Sequence, residues 1–112
     1  MWRIWCVVMA KFSDEWLNKL HCVLWVIGET DVWTIHRILY EASIKGYFES
    51  DEWVWFGKSP RSAEVDAALA LFELTDTIRR EENIVKVSKP PSVKCESYDI
   101  IAFIKEALSK TT

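Results

Sequence analysis

The apolar positions of the chain change period along its length, and the changes mark out the elements. From Ser13 the pattern is helical: Trp16, Leu17, Leu20, Val23, Leu24 and Ile27 recur at three- and four-residue spacing and stop at Gly28. Ser13 opens this helix as a capping hydroxyl, and Asp14 and Glu15 follow where the helix dipole favours acids. Cys22, Trp25 and Val26 make its second half apolar almost all round, so the helix is either central to the fold or shared with another chain. Thr30 or Asp31 caps a second helix, Val32 to about Lys45, with Ile35, Ile38, Leu39 and Ala42 inward and Gly46 as its stop. Arg37, Glu41 and Lys45 form a solvating ladder on its wet face.

The period then shortens to two. In Trp53 to Phe56 the two tryptophans point one way and Val54 and Phe56 the other, a short strand that could complete a small sheet. Ser59-Pro60 predicts the start of a third helix, with Ser62 as a competing cap one turn later. Val65, Ala68, Leu69, Phe72 and Ile78 give its apolar stripe. Ile78 to Glu81 and Ile84 to Val87 alternate around Glu82-Asn83, a tight turn in which asparagine tolerates positive φ. Lys89-Pro90-Pro91-Ser92 breaks regular structure, and Ser97 caps a last helix to about Ser109. Its face of Ile100, Ile101, Ile104, Ala107 and Leu108 either packs back on the first helix or pairs with its copy. Residues 2–10 read as an apolar edge strand that a partner subunit would cover. Alternatively Met9 is the biological start, since MAKFSDEW reads as an ordinary N-terminus.

Two helices, then a third running into a charged hairpin, outline an α+β chain, and over Ser13 to Lys89 it resembles the winged-helix superfamily. The stretch WFGKSPRSAEVDAALALFELTDTIRRE is similar to the pattern of small prokaryotic and archaeal members. The resemblance implies a three-helix core with a β-hairpin or three-stranded wing sheet, plus the C-terminal helix. It also implies a third helix in the DNA major groove and a hairpin on the backbone. On this reading residues 1–12 are an N-terminal strand or extension, 13–89 the winged-helix domain, and 90–112 a linker and amphipathic helix. The chain departs from the pattern in three places. The link from Tyr47 to Pro60 is longer than a simple helix-turn-helix turn. Thr75-Asp76 replaces the usual glycine turn, and the third helix is acidic.

Composition narrows the function classes. Half of the 112 residues are apolar and 28% are charged, as in a folded domain, and the net charge of −3 makes no global demand for nucleic acid. Gln is absent and Asn occurs only at Asn18 and Asn83, a thermophile habit. Cys6, Cys22 and Cys95 are widely spaced with no C-x-x-C pair, which reads as free thiols in a cytoplasmic protein, with a disulfide as the alternative if the source is a hyperthermophile, and not as a zinc or redox framework. No stretch has the length of a membrane span. His21 and His36 stand alone on separate helices as structural residues. Acids are plentiful but no pair is placed by a recognisable motif, and there is no nucleophile elbow or phosphate-cradling glycine loop, so the chain reads as a non-enzyme that needs no cofactor or metal.

The local charges set the candidate site. Residues 59–77 sum to −3, whereas residues 78–94 sum to +3. With a two-residue turn at Glu82-Asn83, Arg79 lies opposite Lys86, and like charges so placed welcome an anion such as phosphate. Lys58, Ser59, Arg61 and Ser62 add the start of the third helix as a second anchor, and Arg80 and Lys89 extend the basic wing. The expected function is a dimeric DNA-binding regulator or chromatin-type factor contacting double-stranded DNA through these eight residues. The alternative is a winged-helix module that binds protein through its acidic helix and aromatic strand. A third reading, single-strand stacking on Trp2, Trp5, Trp53 and Trp55, lacks the interleaved basic residues that it needs.

Overall fold

The computed structural model describes residues 13–50 and 53–110. Among the described residues it is an α+β fold of four α-helices and two small antiparallel sheets. In order the elements are α1 (Asp14–Ile27), β1 (Glu29–Asp31), α2 (Val32–Ile44), β2 (Trp53–Phe56), β3 (Ser59–Ser62), α3 (Ala63–Leu74), β4 (Ile78–Glu81), β5 (Ile84–Val87) and α4 (Asp99–Lys110). The N-terminal strand, Trp2, Trp5, Cys6 and the Met9 start all lie outside the described residues.

Both early helices begin and end as their sequences dictate. Ser13 Oγ accepts the amide of Trp16 at 3.1 Å, and Asp31 Oδ1 accepts that of Thr34 at 2.9 Å. After α2, Gly46 takes φ +83° and Tyr47 N–H bonds back to Ala42 O at 2.9 Å, closing the last turn. α3 ends by the same device without glycine. Asp76 takes φ +59° and Thr77 N–H reaches Phe72 O at 2.8 Å, so the missing glycine changes the residue and leaves the turn intact.

The core is one cluster fed by every helix and by the larger sheet. Leu20, Val23 and Leu24 of α1 meet Ile35 and Leu39 of α2, Val65, Leu69 and Phe72 of α3, and Ile78 and Val85 of the sheet. Each such fully buried aliphatic side chain contributes about 1.5–3 kcal/mol. α4 adds Ile100, Ile101 and Ile104 to the cluster, so it packs back on α1, one of the two expected outcomes.

The structure corrects five expectations. The larger sheet has the order β1-β5-β4, so its third strand is the polar Glu29–Asp31 segment and not the aromatic strand. The aromatic strand β2 pairs instead with β3, in register Trp53↔Ser62 to Phe56↔Ser59. Ser59-Pro60 therefore belongs to a strand, and α3 starts at Ala63 behind Ser62, whose Oγ caps the Val65 amide at 3.3 Å. Gly57 at φ +65° allows the tight turn from β2 to β3. Ile78, placed at the end of the helical stripe, is the first residue of β4. Between β4 and β5 the turn is Glu82-Asn83 as expected, but Glu82, at φ +55°, takes the left-handed conformation expected of the asparagine. Ser97 does not cap α4: it lies in a short 3₁₀ turn, Cys95–Ser97, and its hydroxyl donates back to Lys94 O at 2.7 Å.

The free-thiol reading fails for two of the three cysteines. Cys22 and Cys95 form a disulfide with Cα atoms 5.5 Å apart, closing 73 residues of sequence. A cross-link over so long a loop constrains the unfolded chain by about 4 kcal/mol in the chain-entropy model.

Candidate functional site

The polar centre of the molecule is built on His36. Its residue is fully buried on α2, and both ring nitrogens are used. The Ser62 amide donates to Nδ1 at 3.1 Å, which leaves Nε2–H to donate to Asp66 Oδ1 at 3.0 Å. Asp66, in the first turn of α3, also accepts from Arg61 Nε at 2.8 Å and Nη2 at 3.2 Å. The Arg61 guanidinium then stacks over the Trp33 ring, 4.6 Å from its centroid. Ser62 Oγ meets Ser50 Oγ at 2.9 Å, and Ser50 Oγ reaches Glu64 Oε1 at 3.2 Å. This chain of bonds fastens the β2–β3 hairpin and α3 to α2.

The electrostatics follow from burial and pairing. Burial pushes the His36 pKa below its ordinary 6.5, and the neighbouring Asp66 carboxylate only partly restores it. For Asp66, burial acts upward, but hydrogen bonds from Arg61 and His36 hold its carboxyl below the ordinary 3.8 on balance. A neutral imidazole and an ionised carboxylate result. With Nδ1 occupied by a backbone donor, His36 has no lone pair to offer a substrate or metal, in keeping with a structural histidine. His21 is likewise engaged, donating through Nε2 to Lys89 O at 2.8 Å. Among the described residues no group of three His, Cys, Asp or Glu side chains could hold a metal ion.

An aromatic surface covers this centre. Tyr40 of α2 meets Trp53 and Trp55 edge-on at 5.3 and 4.9 Å, and Trp33 meets Phe56 at 6.1 Å. The hairpin nevertheless leaves much apolar area in solvent: Val54, Trp55 and Phe56 are 56%, 51% and 58% exposed.

The eight sequence-predicted residues are dispersed. Ser62 is fully buried and spent on capping, out of reach of any large ligand. Ser59 is half-buried on β3, Lys58 is exposed in the turn before it, and Arg61 is held by Asp66. Arg79 and Lys86 do lie directly opposite each other on the exposed face of the sheet. On the far side of Lys86 stands Glu29 of β1, a neighbour that only the β1–β5 pairing reveals. These three, with Glu81 and Ile84, line a shallow depression of about 220 Å³. Arg80 is only half-exposed, with Nε donating to Glu82 O at 3.3 Å. Lys89 Nζ donates to Thr75 O at 2.9 Å, stapling the end of α3. The outward side of α3 carries Ala63, Ala67, Ala70, Glu73 and Leu74. The sequence reading missed Glu29, Trp33 and Asp66, and none of them stands in a local motif that would have given it away.

No family model matches the chain, and neither a curated protein nor a solved structure matches it.

Proposed function

We propose that the chain is a winged-helix protein–protein interaction module that works within a larger assembly rather than as a reader of duplex DNA. A three-helix core that runs into a two-stranded wing, with β1 as the third strand of the wing sheet, supports the winged-helix part of this reading. The observation that carries the function is the outward face of α3. A helix that enters a phosphate-lined groove needs cations, and residues 63–74 contain none. They present three alanines, an 83% exposed Leu74, and the acids Glu64 and Glu73 instead. Arg61, two residues ahead of α3, is already paired with Asp66, and Lys89 at its other end is held by Thr75 O. Three exposed alanines and Leu74, with no cation beside them, leave apolar surface for a protein partner to cover. No helix among the described residues is long and apolar enough to cross a membrane.

Binding to a random labelled duplex, followed by fluorescence anisotropy at about 50 and 200 mM salt, separates the readings. The module should ignore duplex at both. Its partner, isolated by co-purification, should be lost from Ala67→Arg and kept by the Arg79→Glu, Arg80→Glu double variant. Duplex binding that weakens steeply with salt, and that the double variant abolishes, would overturn this reading.

One observation favours the DNA-binding reading, of a dimeric regulator or chromatin-type factor. Arg79 and Lys86 face each other across the wing and have no ion-pair partner among the described residues. Glu29 and Glu81 line the same depression and offset them there, so the depression itself carries no net charge.

A further inference from the structure

Four strands stand at sheet edges among the described residues, and three of them carry the devices that keep an edge from pairing with another chain. β1 has Glu29 and Asp31, β4 has Arg79, Arg80 and Glu81, and β3 has Pro60 and Arg61. β2 reads WVWF, with neither a charge nor a proline. Its register shows which groups face the open side. Phe56↔Ser59 closes the two-residue turn as a hydrogen-bonded pair, so by alternation the backbone groups of Trp53 and Trp55 point away from β3. Pro60 sits opposite Trp55, where its missing N–H would point away from β2 in any case. Among the described residues neither tryptophan backbone bonds to another element.

The side chains of this edge are apolar as well. Val54, Trp55 and Phe56 are each more than half exposed, and Ile44, 67% exposed, extends the patch along α2 one turn beyond Tyr40. At about 200 Å² for a fully exposed large apolar residue, these four leave roughly 450 Å² of apolar surface in solvent. In an interface of ordinary make-up, about 57% non-polar, that corresponds to about 800 Å² per partner, the size of a stable pairing. α4 is no rival surface, since its apolar face already packs on α1.

We propose that β2 is a dimer edge: two copies of the chain pair β2 antiparallel about a twofold axis at Trp55, continuing the small sheet as β3-β2-β2-β3. The alternation of the ladder permits this register. Trp55 lies opposite the partner's Trp55 as a hydrogen-bonded pair on one face, and Val54 lies opposite the partner's Phe56 on the other. Every exposed side chain of the strand thereby gains an apolar cross-strand partner, which is why a second copy fits this edge. The pairing uses no residue of α3, so it stands apart from the partner surface proposed above.

Sedimentation equilibrium of the full chain, from about 5 to 500 µM, tests this, with a monomer expected at the dilute end and a dimer at the other. Val54→Lys should weaken association about 30-fold or more, while Trp25→Lys, the same charge on an exposed aromatic of α1, should leave it unchanged. By NMR at the concentrated end, the Trp55 amide should exchange about ten-fold faster in Val54→Lys than in the unaltered chain. A chain that stays monomeric throughout would overturn the proposal. So would assembly that grows beyond a dimer, a dimer that survives Val54→Lys or is broken as readily by Trp25→Lys, or a Trp55 amide that exchanges equally in both proteins.

Discussion

His36 Nε2 lies 3.0 Å from Asp66 Oδ1, joining residues 30 apart in sequence, and the Ser62 amide on the opposite ring nitrogen fixes the imidazole in its neutral form. A second proton on Nδ1 would face the Ser62 N–H, so protonation costs this bond as well as the desolvation of the charge.

That geometry sets the acid sensitivity of the fold. Folded His36 has a pKa below its ordinary 6.5, and folded Asp66 a pKa below its ordinary 3.8. In both cases the unfolded chain takes up its proton at higher pH than the folded one. The His36 contribution is therefore fully present above about pH 6.5 and is lost as pH falls from there, and that of Asp66 is lost below about 3.8. Urea midpoints should be level between about pH 7 and 8 and should fall as the pH drops below about 6.5. His36→Gln should flatten that first step. A midpoint that rose on acidification through the same window would contradict the assignment.

The ion pair at the other end of the network should couple measurably. Arg61→Ala strands an Asp66 carboxylate that is only partly exposed, whereas Asp66→Asn strands a guanidinium that still rests on Trp33. Each should cost about 1–2 kcal/mol by chemical denaturation, and the double variant clearly less than their sum, since the bidentate bond is lost once. Strict additivity would mean that the pair contributes nothing beyond its separate parts.

Asp76 stands where α3 would use glycine, with φ +59° and a negative charge at the helix end that disfavours it. Asp76→Gly should therefore raise stability by about 0.5–1 kcal/mol, read as a higher urea midpoint at unchanged slope. The equivalent change in α2, Gly46→Ala at φ +83°, should lower stability by a similar amount.

Where local chemistry decides the structure, the sequence is readable. α1 and α2 carry caps and stop signals within their own residues, and the Glu82-Asn83 turn places Arg79 against Lys86 correctly. β1 is different: Glu29, Thr30 and Asp31 have no strand pattern and are a strand because β5 offers them an edge. Ser59-Pro60 looks like a helix start, yet the aromatic strand ahead of it supplies a pairing partner that outweighs the local preference. The site was less legible still. His36 meets Asp66, and Cys22 meets Cys95, across 30 and 73 residues, separations at which only the completed fold brings side chains together.

The β4–β5 hairpin offers the sharpest test of how Glu29 changes its character. Across the sheet, Glu29, Lys86 and Arg79 stand in one row, so Lys86 has an acid on one side and a like charge on the other. Cross-strand pairs of this kind contribute about 0.2–1 kcal/mol, with the sign set by the charges. Arg79→Glu should stabilise the chain by about 0.5 kcal/mol, and Glu29→Gln should destabilise it by about as much. Both effects should shrink in high salt, as exposed charges are screened. If the hairpin were instead a phosphate clamp, Glu29→Gln would strengthen duplex binding and make its salt dependence steeper, while Arg79→Glu would abolish it. Thermal melts at low and high salt, beside duplex titrations of the same two variants, separate a hairpin built for stability from one built to hold an anion.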